Sequence, residues 1–269
     1  TSNPYTCQAA TTGKTVGTYN VTMTIGKSFH NNDSNFTTNA FKIKSTPALS
    51  GAKVDYRIEG WGVQRTFYVN VTDNSGDNVT LKLWEAPYGT ETWTEIGSYK
   101  YCNQTCTNTT LNWTKYYSCG VKGTKIYKFN STDTEGNIDS TSGSDYTVDN
   151  QVIIQEDNVT ISYYAGNNTN ATIDTPTALS VRVYDEDNLT YSLVNNANVY
   201  YNITKQGSGN AYFSIGTNLT NATGYATYFF YADQTFDTKQ QDWKAYVPES
   251  DACYDYNVSA VFKVNTLSN

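Results

Sequence analysis

The chain of 269 residues holds one histidine, His30, one methionine, Met23, and five prolines, and only 16% of it is charged. An ordinary soluble domain carries roughly a quarter charged residues. Each scarcity excludes something. There is no HExxH, no GxSxG and no glycine-rich phosphate loop, so the usual metalloprotease, hydrolase and nucleotide signatures are missing. Lys+Arg 18 against Asp+Glu 25 gives a net charge of −7, which argues against nucleic acid as a partner. No apolar run approaches the ~18 to 20 residues that cross a bilayer, so membrane insertion is not expected. No amphipathic helical period is present either.

What is abundant is aromatic and polar. Tyr 24, Phe 10 and Trp 5 make up 14% of the chain, and such a content separates it from disordered sequences. The length allows one large or two medium domains, each with a core of its own. The chain begins Thr1-Ser2-Asn3 and its single methionine is Met23. Removal of an upstream signal peptide is therefore expected, and with it an extracellular, cell-surface location.

Five cysteines, Cys7, Cys102, Cys106, Cys119 and Cys253, are expected to pair as disulfides in an oxidising compartment, as far as an odd number permits. Either Cys102 or Cys106 with Cys119 would close one loop. Cys7 and Cys253, near opposite ends, would pair within one chain or staple neighbouring subunits. A zinc site built from the cysteine cluster and His30 lacks structural-zinc spacing.

The sequence is dense in N-glycosylation triplets. Asn-x-Ser/Thr begins at Asn20, Asn32, Asn35, Asn70, Asn78, Asn103, Asn108, Asn112, Asn130, Asn158, Asn167, Asn170, Asn188, Asn202, Asn218, Asn221 and Asn257. That is seventeen of thirty asparagines, where random placement of the 41 Thr and 20 Ser gives about seven. Five of them sit in segments that alternate with period two. Tyr19, Val21, Met23 and Ile25 oppose Asn20; Phe67, Val69 and Val71 oppose Asn70; Tyr127 and Phe129 oppose Asn130. Val199, Tyr201 and Ile203 oppose Asn202, and Val258, Ala260, Phe262 and Val264 oppose Asn257. On each strand the alternation directs the asparagine outward, where an acceptor must be.

Further strands are predicted over Val79 to Trp84, Leu179 to Tyr184 and Tyr225 to Tyr231, with Gly, Asn and Asp clusters between them. The spacing gives an all-β fold of tandem immunoglobulin-like β-sandwich domains. Residues 1–50 form an N-terminal strand segment, with its strand over Thr18 to Ile25 and a second around Ala40 to Lys44. Residues 51–150 and 151–269 form one sandwich each, with a linker over Asp149 to Asn158. The strand Thr18 to Ile25 either completes its own domain or is donated to a neighbour's sheet. Tyr19, Val21, Met23 and Ile25 are then its assembly residues.

The stretches TFYVNVTDNSGDNVTLKLWEAP and GTKIYKFNSTDTEGN each end a strand in an Asp- and Gly-bearing turn, Asp73 to Asn78 and Asp133 to Asn137. They resemble the immunoglobulin-like, fibronectin-like and PKD-like domains of archaeal and bacterial surface proteins. The C-terminal part, with TALSVRVYDEDN, NANVYYNIT, TNLTNATGYATYFFYAD and DWKAYV, resembles the bacterial Ig-like domains of invasin and intimin stalks. Asn221-Ala222-Thr223-Gly224-Tyr225-Ala226-Thr227 stands where that family has T-D-x-x-G-x-A-T, with the family's Asp replaced. These resemblances imply a fold and no particular activity.

No catalytic, cofactor-binding or metal residue is assigned. Pairing of Cys7 with His30 lacks a signature, and the carboxylates Asp185, Glu186, Asp187, Asp251 and Asp255 read as hairpin turns rather than a glycosidase pair. For calcium, the oxygen-rich candidates are Asp185 with Glu186 and Asp187, Asp73 with Asp77, and Asp149 with Glu156 and Asp157; none has EF-hand spacing. Trp61, Trp84, Trp93, Trp113 and Trp243 are dispersed, with Trp84 on the outward face beside Lys82. The composition resembles archaeal surface-layer and filament subunits. The expected function is a non-enzymatic, N-glycosylated, extracellular structural subunit whose partner is itself. A filament is preferred over a surface layer, and other cell-surface glycans are possible partners. The alternative is a secreted adhesin or carbohydrate-binding module.

Overall fold

The computed structural model describes residues 10–26, 28–29, 31–103, 106–141, 150–191 and 196–268. Cys7, His30 and Asp149 lie outside them. Among the described residues the chain is all β, with one 3-10 turn at Cys119–Val121. In chain order the strands are β1 Gly17–Ile25, β2 Asp33–Ile43, β3 Ala48–Val54, β4 Ile58–Gly60, β5 Arg65–Thr72, β6 Val79–Pro87 and β7 Thr94–Cys102. They continue with β8 Thr109–Lys115, β9 Gly123–Asp133, β10 Ile138–Ser140, β11 Gln151–Gln155, β12 Val159–Ala165, β13 Thr169–Thr172 and β14 Pro176–Asp185. The last are β15 Asn198–Thr204, β16 Tyr212–Leu219, β17 Tyr225–Tyr231, β18 Gln240–Val247, β19 Asn257–Val258 and β20 Phe262–Leu267.

The chain divides into two compact units that interleave along the sequence. The first takes 1–54, 66–114 and 126–151, and the second takes 55–65, 115–125 and 152–269. In the first unit β3, β5 and β8 form one sheet, while β9, β6 and β7 lie side by side in another, with β10 paired to β9. The period-two pattern is obeyed closely. Phe67, Val69 and Val71 of β5 and Val79, Leu81 and Leu83 of β6 are all 0% exposed, and the residues between them are half-buried. Phe67 meets Tyr127 edge to face at 5.0 Å and Trp113 meets Phe129 at 5.4 Å, so the two sheets close over one aromatic core.

The second unit packs the sheet β12-β14-β17 on the sheet β13-β20-β18-β15-β16. Its core joins Leu179, Val181 and Val183 of β14 with Val199, Tyr201 and Ile203 of β15 and with Trp243 of β18. Trp243 is fully buried, donates Nε1–H to the Gly166 carbonyl at 3.0 Å, and packs on Phe262 at 4.7 Å. A buried indole N–H without a partner would forfeit part of the gain from burying the ring, and this bond prevents that. The turn before β17 needs Gly224: its φ is +78°, and a Cβ there would stand 2.5 Å from the Val183 carbonyl.

Two short segments are tied into the second unit. Arg65 is 0% exposed, and its guanidinium donates to the carbonyls of Glu59, Gly60, Val63 and Ile153 at 2.8–3.3 Å. That holds β4 beside β11, which it meets in parallel through Ile58 and Ile153. Burial lowers the Arg65 pKa, against the charges of Tyr117, Glu59 and Asp157. The other segment is pinned by a disulfide from Cys119 to Cys253, with Cα atoms 5.3 Å apart.

Three sequence expectations are corrected here. Cys119 pairs with Cys253, and Cys102 pairs with Cys106, so neither Cys102 nor Cys106 joins Cys119 and Cys253 does not take Cys7. The face containing Val258 and Ala260 is not continuous with Phe262 and Val264. Val258 and Ala260 are exposed while Ser259 is 7% exposed. Its backbone and hydroxyl both bond Ala245, so a polar residue satisfied by a neighbouring strand takes the inward place. Finally, Val21 is half-buried while Met23 and Ile25 are 52% and 72% exposed, so the apolar face of β1 is not a core face within this chain.

Candidate functional site

Strands β1 and β2 form a two-stranded antiparallel sheet that pairs with no other strand among the described residues. Its register runs from Gly17 opposite Ile43 to Ile25 opposite Asp33, with an irregularity between Tyr19 and Val21. Directly opposed residues share a face. One face therefore carries Tyr19 with Phe41, Val21 with Thr37, Met23 with Asn35, and Ile25 with Asp33. Tyr19 and Phe41 stack at 5.4 Å, and toward the turn the row opens to solvent at Met23 and Ile25. The other face holds Thr22 opposite Phe36, which is 57% exposed. The sequence marked Tyr19, Val21, Met23 and Ile25; it missed Phe36 and Phe41, because β2 is polar and lacks clean alternation.

All seventeen sequon asparagines lie among the described residues, and none is buried. Asn20, Asn32, Asn35, Asn78, Asn103, Asn108, Asn112, Asn158, Asn170, Asn218 and Asn221 are exposed; Asn70, Asn130, Asn167, Asn188, Asn202 and Asn257 are half-buried. Exposure is the condition an acceptor must meet, but the amide nitrogen must also be free to carry a sugar. Three are engaged. Asn188 Nδ2 donates to the Trp61 carbonyl and to Oδ2 of Asp157 and of Asp185, each at 3.1 Å. Asn158 Nδ2 donates to Asp187 at 3.2 Å, and Asn218 Nδ2 to the Thr227 carbonyl at 2.6 Å.

The bonds of Asn188 mark a buried acidic group that unites two of the sequence's oxygen sets. Asp157 and Asp185 are both 0% exposed, and Asp157 Oδ1 has no hydrogen-bond partner. Burial first, then the charge and hydrogen bond of Asp185 and the charge of Asp187, push the Asp157 carboxyl up to about 9. Gly60 leaves room for it: a Cβ there would fall 1.9 Å from Asp157 Oδ1. At neutral pH Asp157 is thus a neutral acid that hydrogen-bonds Asp185, an arrangement that neutralises one charge with a proton. Glu156 goes elsewhere. It accepts from Lys122 at 2.6 Å and raises the Asp255 pKa, after burial. Glu59, Lys122, Glu156 and Asp255 line an open surface cleft of about 440 Å³.

In the first unit, Asp73 and Asp77 are joined by Asp133, with a carboxylate oxygen of each within 4.8 Å of the others. The sequence showed the two turns as a repeat without showing that they meet. Trp113 and Trp243 are core, and Trp61 bonds the Cys253 carbonyl at 2.8 Å. Lys82 and Lys128 stand over Trp84 and Trp93 at 5.6 and 4.0 Å. Trp84 does share the outward face with Lys82, as its alternation indicated.

No protein-family model matches this chain, and no curated protein matches it. Among solved structures it is similar to a tetra-tandem repeat from the extending region of a large adhesion protein. The TM-score is 0.43 at 12% identity, covering 91% of this chain and 56% of that one. A second similarity is to native E. coli alpha-2-macroglobulin, with a TM-score of 0.29 at 8% identity, covering 96% of this chain and 18% of that one. The chain spans just over half the length of the first structure. No helix among the described residues is long and apolar enough to cross a membrane.

Proposed function

We propose that this chain is a non-enzymatic, extracellular structural subunit, N-glycosylated on its surface, that assembles with further copies of itself into a cell-surface polymer, a filament in preference to a layer. The observation that carries this reading is the β1–β2 ribbon, which no further strand joins among the described residues, with Met23 and Ile25 more than half exposed in one apolar row. A lone two-stranded ribbon is marginal in water, and burying its face against another sheet recovers ~25 cal/mol per Å².

Charge supports a second copy as the occupant. Residues 1–43 hold three lysines and one aspartate, net +2, while residues 44–269 carry net −9. The N-terminal segment that carries the ribbon is complementary in net charge to the acidic remainder of another copy, and strand addition supplies the hydrogen bonds. Two disulfides fit an oxidising, extracellular compartment.

The test is electron microscopy of material sheared from cells, beside recombinant chain carrying Met23→Asp with Ile25→Asp. Regular fibres from the native chain, and monodisperse folded particles from the double variant, are the expected result. Fibres that persist unchanged in the variant would remove the ribbon from the assembly, and a native chain that stays monomeric would overturn the polymer reading.

The second reading, a carbohydrate-binding adhesin module, is favoured by one observation. Tyr99 and Tyr101 on β7 are each half exposed and stand edge to face at 5.1 Å, a ready stacking surface for a sugar ring. Glycan-array binding by the monomer, lost in Tyr101→Ala, supports that reading instead.

A further inference from the structure

Two turns of the first unit carry Asp at the first place and Gly at the fourth. Asp73-Asn74-Ser75-Gly76-Asp77 links β5 to β6, and Asp133-Thr134-Glu135-Gly136-Asn137 links β9 to β10. Each opening aspartate uses Oδ1 to close its own turn. Asp73 Oδ1 accepts from Ser75 N at 2.7 Å, and Asp133 Oδ1 accepts from Glu135 N and Asn137 N at 2.9 and 2.8 Å. Such bonds are ordinary turn chemistry and account for the aspartates singly. They do not account for the two turns bringing three carboxylates together.

The oxygens left over are the informative ones. Asp73 is 5% exposed, and its Oδ2 is buried with no hydrogen-bond partner; Asp77 Oδ2 is buried and bare as well. Asp133, also 5% exposed, completes the group, with its Oδ2 accepting from Asn137 Nδ2 at 2.8 Å. A buried carboxylate oxygen without a donor bears its full desolvation cost, and carboxylates gathered this close add mutual repulsion. Lys44 answers only part of this. Its Nζ meets Asp77 Oδ1 at 2.9 Å and Glu135 at 2.5 Å, on the oxygen of Asp77 opposite to the bare one. Four carboxylates and one ammonium leave a local charge of −3.

We propose that Asp73, Asp77 and Asp133 form a calcium site that fastens the β5–β6 turn to the β9–β10 turn. The donor set is entirely oxygen, which selects a hard cation over zinc or copper. Calcium takes oxygens at 2.3–2.6 Å, so ligands on opposite sides of it stand roughly 4.6–5.2 Å apart; for magnesium the figure is roughly 4.0–4.2 Å. Three oxygens within 4.8 Å of one another can reach a single ion of this kind. The ion lowers the local charge from −3 to −1, and water fills the coordination sphere on the solvent side of Asp77.

The experiment is calcium titration by calorimetry on the EDTA-washed full chain, with thermal unfolding at each calcium level. Extracellular modules of this ligand count bind with Kd on the order of 10⁻⁴–10⁻³ M. Tenfold excess over Kd should then raise Tm by about 2–5 °C. Asp73→Asn keeps the Oδ1 cap on Ser75 and removes the charge, so it should unfold near the wild-type temperature in EDTA and lose the calcium-dependent rise. Asp187→Asn, in the other unit, should keep it. If Asp73→Asn fails to fold, Asp77→Asn, which retains the acceptor for Lys44, serves the same purpose. No heat and no Tm change up to 10 mM calcium would overturn the site, as would a rise that survives in the folded Asp73→Asn or Asp77→Asn variant.

Discussion

Asn35 stands directly opposite Met23 in the β1–β2 ribbon, on the face that also carries Val21 and Ile25. A sequon asparagine and an exposed apolar row therefore occupy one surface. A sugar on Asn35 would cover the row, and a neighbouring subunit on the row would bury the sugar.

Glycosylation at Asn35 and assembly through the ribbon should exclude each other. Glycopeptide mass spectrometry of fibres is expected to find Asn35 bare while Asn20, on the opposite face, is occupied. Unassembled chains should carry sugar at both. Full occupancy of Asn35 inside fibres would show that another surface makes the contact.

The sequon at Asn188 should stay unmodified although it is a valid triplet. Its amide donates to Trp61, Asp157 and Asp185, and a sugar on Nδ2 would remove donors from two buried carboxyl groups. Asn188→Ala should cost about 1–3 kcal/mol in urea unfolding, the usual penalty for stranding buried polar groups. A heavily occupied Asn188, or a variant as stable as the parent, would contradict this network.

Stability should fall as pH rises through the range set by Asp157. In the folded chain its carboxyl holds a proton up to about pH 9, whereas the unfolded chain releases it near pH 4. The folded state binds more protons between those values, so the contribution is complete below about pH 4 and is lost as pH climbs toward 9. Asp157→Asn mimics the neutral acid and should flatten this slope, raising the urea midpoint at pH 8 more than at pH 5. An identical pH profile in the variant would assign the dependence to other groups.

The two disulfides should differ in worth. Cys119–Cys253 closes a span of 134 residues and Cys102–Cys106 a span of 4. Chain-entropy arithmetic gives about 5 kcal/mol for the first and about 2 for the second. Replacing Cys119 and Cys253 by serine should therefore lower Tm by more than replacing Cys102 and Cys106, as differential scanning calorimetry would record.

The strands were legible because their cores obey strict alternation: Phe67, Val69 and Val71, or Val199, Tyr201 and Ile203, read inward from the sequence and are buried. Tyr225 to Tyr231 coincides with β17 at both ends. What alternation cannot carry was lost. Ser259 turns inward because Ala245 satisfies it, a fact about the next strand. Cysteine spacing says nothing of which loops meet in space, so Cys119 and Cys253 did not suggest each other. The segments 55–65 and 115–125 are too short and polar to reveal which unit they join. Asp157 and Asp185 lie 28 positions apart, and only folding shows that they meet.

The bridge from Cys119 to Cys253 also sets how the chain responds to pulling. Tension applied at residues on either side of the bridge passes through sulfur, and the 133 residues between the cysteines cannot be drawn out until that bond is reduced. At roughly 3.5 Å per residue, about 470 Å of slack is withheld. A reducing milieu would release it, so the length this span can yield under load is set by the redox state of the surroundings.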